Sequence, residues 1–337
     1  MGAALRVYRR RIRSVNSTKK ITKAMELIAA SRIVKAQARM NSAKPYAKEL
    51  SRALAALGTD NTLQHPMLTG AENPRRAGIL LITSDRGLAG GYNSNAIRRA
   101  NELTRTLEED GKDVERYVIG RKGAAYFNFR NITLGGQWAG FSEQPNFVDA
   151  RGATETVVAA LNATSEGTTG GTGDDETDGS GEQRPGIDEL WVVYTRFVNS
   201  VSQTPTAVQV SPVKGATDGD DLADASGDDD GNDNEDSENQ DAEGRPTLYE
   251  FEPEPGRLIA ALLPRYISSR IFSALLESAA SESAARRRAM KSASDNATDL
   301  IKTYTRLANE ARQAEITQEI SEIVGGADAL ASAGRDE

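Results

Sequence analysis

Side chains that could do chemistry are scarce in this sequence. Cys is absent and His occurs once, at His65, which removes disulfide frameworks, zinc clusters, thiol nucleophiles and histidine-based triads. Glu319 and Glu322 stand three residues apart, a spacing that could pair a general acid with a general base. On a long helix without a pocket or a metal-binding His, a surface or interhelical salt bridge is the expected role. Two glycine segments invite a phosphate-binding reading. Ser84-Asp85-Arg86-Gly87-Leu88-Ala89-Gly90-Gly91-Tyr92-Asn93 lies between a strand-like and a helix-like run, where phosphate loops occur. It is neither G-x-G-x-x-G nor G-x-x-x-x-G-K-[ST], and Gly120-Arg121-Lys122-Gly123 is equally incomplete, so tight turns are expected at both. Asp228, Asp229, Asp230, Asn232 and Asp233 lack the spacing of an EF-hand loop. No catalytic residue, metal site or cofactor is expected.

The formal charge of −8 conceals a basic structured part. Residues 166–185 hold six acids and one Arg, and residues 216–245 hold thirteen acids and one Arg. Without these two inserts the 49 acids fall to 30 and the 41 bases to 39, a net of +9. Both inserts are almost devoid of apolar residues, so they cannot offset chain entropy by burial and are expected to be disordered loops that add solubility. No hydrophobic run approaches the ~20 residues of a membrane span. The basic N-terminus has no apolar h-region; Arg9, Arg10, Arg11 and Arg13 would also suit a mitochondrial presequence, but they continue into a helical pattern, so a bacterial cytoplasmic setting is the simpler expectation.

The remainder divides into three parts: 1–57, 75–253 carrying both inserts, and 258–325. In the first, Ala36, Met40, Ala43, Ala47, Leu50, Leu54 and Leu57 alternate spacings of four and three, as do Leu5, Tyr8, Ile12 and Val15. Ile21, Met25 and Ile28 keep the spacing in a shifted register, so the seam is expected to drift. Such a helix would reach ~80 Å, with a possible kink at Pro45. The last part repeats the pattern with Ile267, Ile271, Leu300, Tyr304, Leu307, Ala311 and Ala314, then Ile316, Ile320 and Ile323, over ~100 Å. Neither helix can bury its stripe alone, so the two are expected to pair as an antiparallel coiled coil. Small residues crowd 278–294, a composition that suits close helix approach, a snug fit in a sleeve, or plain helix propensity.

The middle part reads as a small Rossmann-like α/β domain. Strand-like runs at 79–83, 117–119, 190–197, 207–210 and 248–251 alternate with helical stretches at 94–109 and 146–162. The fold class is therefore α/β: a long antiparallel α-helical coiled coil from the two termini with an inserted Rossmann-like domain.

Four blocks, in order, resemble the gamma subunits of F-type ATP synthases. They are Lys20-Ile21-Thr22-Lys23-Ala24-Met25-Glu26 with Ala29-Ala30-Ser31; the Ser84 to Asn93 segment; the stretch 282–296 around Ala289-Met290-Lys291; and Ile316-Thr317-Gln318-Glu319-Ile320-Ser321-Glu322 followed by Gly326-Ala327. They span both helices and the central domain. Ala89, where the family often has Cys, and the two inserts depart from the pattern.

The resemblance implies a non-catalytic central-stalk rotor. Its paired helices would form a shaft inside a hexamer of three alpha and three beta subunits, and its α/β domain would flank the epsilon subunit and the c-ring. Ion-driven rotation would cycle the beta sites, with membrane association only through the Fo sector, at the cytoplasmic face of a bacterial cell membrane. Residues 1–57 carry fourteen bases and two acids, a charge that expects an acidic partner. The family then suggests Lys20, Lys23 and Arg32 as contacts with beta, Met25 as a packing-sensitive coupling position, and Arg286, Gln313, Thr317, Glu319 and Glu322 as contacts with the hexamer or the partner helix. Arg286, Arg287 and Arg288 point in different directions, and Arg286 is the one selected. Nucleic acid is not expected, since DNA-reading helices are shorter and lack such a seam. Two rivals remain: a coiled-coil structural adaptor, which predicts a defined homo-oligomer, and an α/β enzyme binding phosphate at 87–91, which predicts stabilisation by nucleotide.

Overall fold

The computed structural model describes residues 3–58, 68, 70–71, 73–163, 186–213 and 255–333. The acidic segments 166–185 and 216–245, and the strand expected at 248–251, lie outside the described residues. Two long helices, α1 (Ala3–Gly58) and α5 (Pro255–Ala333), begin and end the described chain. Between them come β1 (Arg76–Ile82), α2 (Tyr92–Glu109), β2 (Asp113–Ile119), α3 (Arg121–Phe129), β3 (Gly136–Trp138), α4 (Phe147–Asn162), β4 (Glu189–Phe197) and β5 (Gln203–Ser211). The chain forms two compact units: Met1–Ala30 with Arg286–Glu337, and Ser31–Ala285.

The larger unit is organised by one sheet of order β3-β2-β1-β4-β5, parallel except for β5, which runs antiparallel to β4. Alternation along β1 explains its layers. Ala77, Ile79 and Leu81 face Ala96, Ile97, Ala100, Leu103 and Leu107 of α2 and Phe127 of α3. Leu80 and Ile82 face the other way, toward Ala153 and Val157 of α4, Leu50 and Leu54 of α1, and Leu263 and Ile267 of α5. A strand covered on both faces needs no polar side, which is why Ala77 to Ile82 are all buried. Four of the expected strands and both expected helices are present. Short α3 and β3 were not anticipated, because nine residues opening on Gly120 and Gly123, and a strand of three, give periodicity too little to act on.

Within this unit α1 and α5 run antiparallel. Ile33 and Ala36 pack with Ala280 and Ala284, whereas Leu50 and Leu54 meet the stretch holding Ile259 and Leu263. Every residue from Ala274 to Ala285 is buried, apolar and polar alike. Small side chains allow this: the Ser281 hydroxyl donates to the Thr195 carbonyl at 2.9 Å, Tyr92 Oη donates to the Ser278 carbonyl at 3.4 Å, and Ala285 packs on Ala89 and Tyr92. Close approach to the chain's own strands is thus the use of the small residues at 278–285. This composition also makes α5 the one described helix long and apolar enough to cross a membrane, with an 18-residue window of mean hydropathy 1.3. That window corrects the expectation that no stretch reaches the length of a span. A core helix passes the same test, because alanine reads as apolar whether it meets lipid or a sheet.

The smaller unit consists of two helix segments, and its seam corrects the expected one. Burial along α1 follows Leu5, Tyr8, Ile12, Val15, Lys19, Thr22, Glu26 and Ala29, a single three-four alternation that α1 continues through Ile33, Ala36, Met40, Ala43, Ala47, Leu50 and Leu54. The register does not drift; the residue types change. Three inward positions are polar, and Ile21 and Ile28 point outward, 59% and 53% exposed. In α5 the inward positions are Met290, Ser294, Ala297, Ile301, Tyr304, Ala308, Ala311 and Glu315, again at alternating four and three. Leu300, Ala314, Ile316, Ile320 and Ile323, expected in the seam, are exposed. Tyr8 and Tyr304 close the pair with ring centroids 6.5 Å apart, and the Arg11 guanidinium lies 5.6 Å from the Tyr304 centroid.

Candidate partner interface

The glycine segments at the carboxyl edge of the sheet bind the protein's own atoms. A helix N-terminus offers free amides to an anion, but the first three of α3 are engaged. Arg121 N–H donates to Asp85 Oδ1 at 3.2 Å, Lys122 N–H to the Ser84 carbonyl at 3.0 Å, and Gly123 N–H to Thr83 Oγ1 at 3.0 Å. Asp85 Oδ2 also accepts from Gly140 N–H at 2.8 Å and Ser142 N–H at 3.0 Å, so one carboxylate gathers three loops. Asn93 ties the start of α2 back to Ser84 through its side-chain amide. Gly120 has φ +104°, and a Cβ there would overlap the Thr83 carbonyl. Both segments are turns, and the four amides from Gly120 to Gly123 are all satisfied internally.

What the molecule presents outward lies along the helices. In the smaller unit Lys20 and Lys23 are exposed on α1, the latter paired with Glu26 at 3.0 Å. Met25 is half-buried one position before Glu26 of the seam. On α5, Gln313, Thr317, Glu319 and Glu322 are all exposed. The Thr317 hydroxyl donates to the Gln313 carbonyl at 2.9 Å, and the Gln318 amide donates to Glu322 at 3.0 Å, both ordinary bonds one helical turn long. These polar residues alternate with exposed Ile316, Ile320, Ile323 and Val324, while Val7, Ile21, Leu27 and Ile28 are exposed on α1. The smaller unit thus turns large apolar side chains outward while three positions of its α1 seam are polar.

Two of the expected contact residues are partly or wholly shielded by the chain itself. Arg286 is 5% exposed, whereas Arg287 and Arg288 are exposed. Arg32 is half-buried and forms an ion pair with Glu143, on the loop between β3 and α4, which Arg86 also approaches at 3.6 Å. No local pattern points to Glu143, because its partner is 111 residues away. Glu319 and Glu322 are exposed, and the described residues hold no cluster of His, Cys, Asp and Glu suited to a metal ion.

Known proteins agree with this arrangement. The ATP synthase family model matches residues 4–330. An ATP synthase gamma chain of Frankia casuarinae is 50% identical over 98% of this chain and 99% of its own length. Those of Acidothermus cellulolyticus, 49% identical over the whole of both chains, and Streptomyces coelicolor, 50% identical over 99% and 98%, are similarly related. Among solved structures, a chain of the Euglena gracilis mitochondrial ATP synthase, in its OSCP/F1/c-ring assembly, superposes with a TM-score of 0.60 at 17% identity over 98% of this chain and 95% of its own, a likeness of fold. A chain of the rotor from the same source gives 0.57 at 17% identity over 94% and 100%. The chain belongs to the ATP synthase gamma family, and is a non-catalytic central-stalk subunit of that membrane-associated complex.

Proposed function

We propose that the chain is a rotor shaft that transmits ion-driven rotation of a c-ring to the nucleotide sites of a surrounding hexamer of three alpha and three beta subunits. The observation that carries this reading is the inversion in the smaller unit, where Lys19, Thr22 and Glu26 occupy the seam while Ile21, Leu27 and Ile28 face out. A helix pair that has to turn inside a collar needs a smooth apolar flank more than a large core of its own.

In this reading the segments 1–57 and 258–325 supply the shaft and 75–253 the domain that meets the epsilon subunit and the c-ring, at the cytoplasmic face of a bacterial cell membrane. Lys20 and Lys23 meet acidic groups of beta, with Met25 at a packing-sensitive position between them and the seam. Gln313, Thr317, Glu319 and Glu322 meet the hexamer beside Ile316 and Ile320. Arg32 and Arg286 support the shaft from within, a role that fits their burial better than direct contact. The native mass of this chain mixed with the alpha and beta subunits of its own organism tests the reading. One copy on a three-plus-three hexamer is expected; a homo-oligomer, under conditions where alpha and beta assemble, would overturn it in favour of a coiled-coil adaptor.

A further inference from the structure

Glu277 is a deeply buried carboxyl of the larger unit. It lies on α5 where that helix meets the end of β4 and the middle of α1, and it is 4% exposed. Its carboxyl is held by the Phe197 backbone N–H, while Oε2 is buried with no hydrogen-bond partner. The charged groups that face it come from all three elements: Lys44 from α1, Arg196 from β4 and Arg270 from α5 itself. The same junction leaves the Nε atoms of Arg196 and Arg270 buried and without a hydrogen-bond partner. An orphaned acceptor thus sits among orphaned donors that do not close onto it. Beside it is a cavity of about 40 Å³ lined by Lys44, Lys48, Ser51, Arg270, Ser273 and Glu277, with room for one or two waters.

We propose that Glu277 is a proton-operated latch at the junction of α1, β4 and α5: the neutral carboxyl keeps the junction dry and closed, and the ionised carboxylate opens it. A neutral carboxyl can remain in this site with a single bond to Phe197. An ionised one there lacks solvation, and supplying it takes more water than the cavity beside it holds, so hydration of the carboxylate parts α5 from α1. The balance of forces agrees. Burial pushes the carboxyl from 4.5 up to about 7, against the Phe197 bond and the pull of Arg196, Lys44 and Arg270. The folded chain therefore keeps a proton that the unfolded chain has released, so stability conferred by this group falls as pH rises from 4.5 to about 7 and levels above that.

The test is backbone amide exchange of the full-length chain from about pH 5.5 to about pH 8.5, corrected for the intrinsic pH dependence of exchange. Peptides covering 40–48, 194–198 and 270–285 are expected to lose protection severalfold across that range, with a midpoint near neutrality, while β1 stays constant. Glu277→Gln, a permanently neutral isostere, should abolish the step. A wild-type profile without a step, or an identical step in Glu277→Gln, overturns the latch. Lys44→Met provides a second arm that does not depend on the Gln variant folding. Removing a cation that favours the ionised form should move the midpoint to higher pH, and an unchanged midpoint overturns the proposal as well.

Discussion

The two units use the same helices in opposite ways. In the larger one, α1 turns Ile33, Ala36, Leu50 and Leu54 inward, and α5 inserts Ile259, Leu263, Ile267 and Ile271 beneath the sheet. Most of its apolar residues are consumed by its own fold, although Phe129, Val148 and Val201 stay exposed. In the smaller unit the seam of α1 keeps its heptad spacing but places Lys19, Thr22 and Glu26 in succession between Val15 and Ala29, while Ile21, Leu27 and Ile28 stay outside. Spacing therefore fixes where a helix pair touches, and composition decides whether that touch supplies the stability. The larger unit is self-sufficient, whereas the smaller one gains most where a partner covers it.

The contrast breaks most visibly in the larger unit. Leu263 is fully buried between the sheet and the helix pair, so Leu263→Ala should destabilise the chain by about 2–5 kcal/mol, measured by urea unfolding. A change of that size at any seam position of the smaller unit would contradict the comparison. Gly120→Ala should cost about 2 kcal/mol or more, because φ +104° disfavours any side chain and the new methyl would displace Thr83 from the turn. Its measurable mark is a lowered melting temperature with increased exchange at the start of α3, where three amides depend on that turn.

How much of this could be read from the residues follows the same division. The parallel strands were legible because doubly covered strands such as 76–82 are continuous apolar runs, and the two long helices because their spacing persists over many turns. The seam of the smaller unit was misread at Ile21 and Ile28 because an apolar residue was assumed to face inward. Only the uninterrupted spacing from Leu5 to Leu54 could have shown that Lys19, Thr22 and Glu26 hold the register. The Arg32–Glu143 pair was not legible, since nothing in the sequence brings Glu143 to Arg32. Lys20 and Glu319 were singled out only through family blocks, because no local physics separates them from any other solvated charge.

Smaller effects sharpen the comparison. Arg32 and Glu143 are both largely shielded, so a double-mutant cycle with Arg32→Ala and Glu143→Gln should give a coupling of about 1 kcal/mol; additive costs would mean the pair does not brace α1. In the other unit Thr22→Val replaces a buried seam hydroxyl, bonded only to the Lys19 carbonyl at 3.1 Å, with a methyl. The isolated chain should gain about 0.5–1 kcal/mol of local stability, read as slower amide exchange over 15–29. A loss would mean that the polar seam has its own stabilising network and that the partner is not the main source of order there.

The least perturbing substitutions are the most informative about function. Ile28→Ser and Ile320→Ser alter side chains more than half exposed on the isolated chain, so each should change its unfolding free energy by no more than about 0.5 kcal/mol. If a collar of alpha and beta subunits covers those positions, the same changes should weaken assembly, by about tenfold for each residue that is fully desolvated there. Equal insensitivity in the free and assembled states would show that the outward apolar residues are incidental, and the inverted seam would then need an explanation within the helix pair itself. Sensitivity confined to the assembled state would mean that the hydrophobic order missing from the seam is restored by the partner.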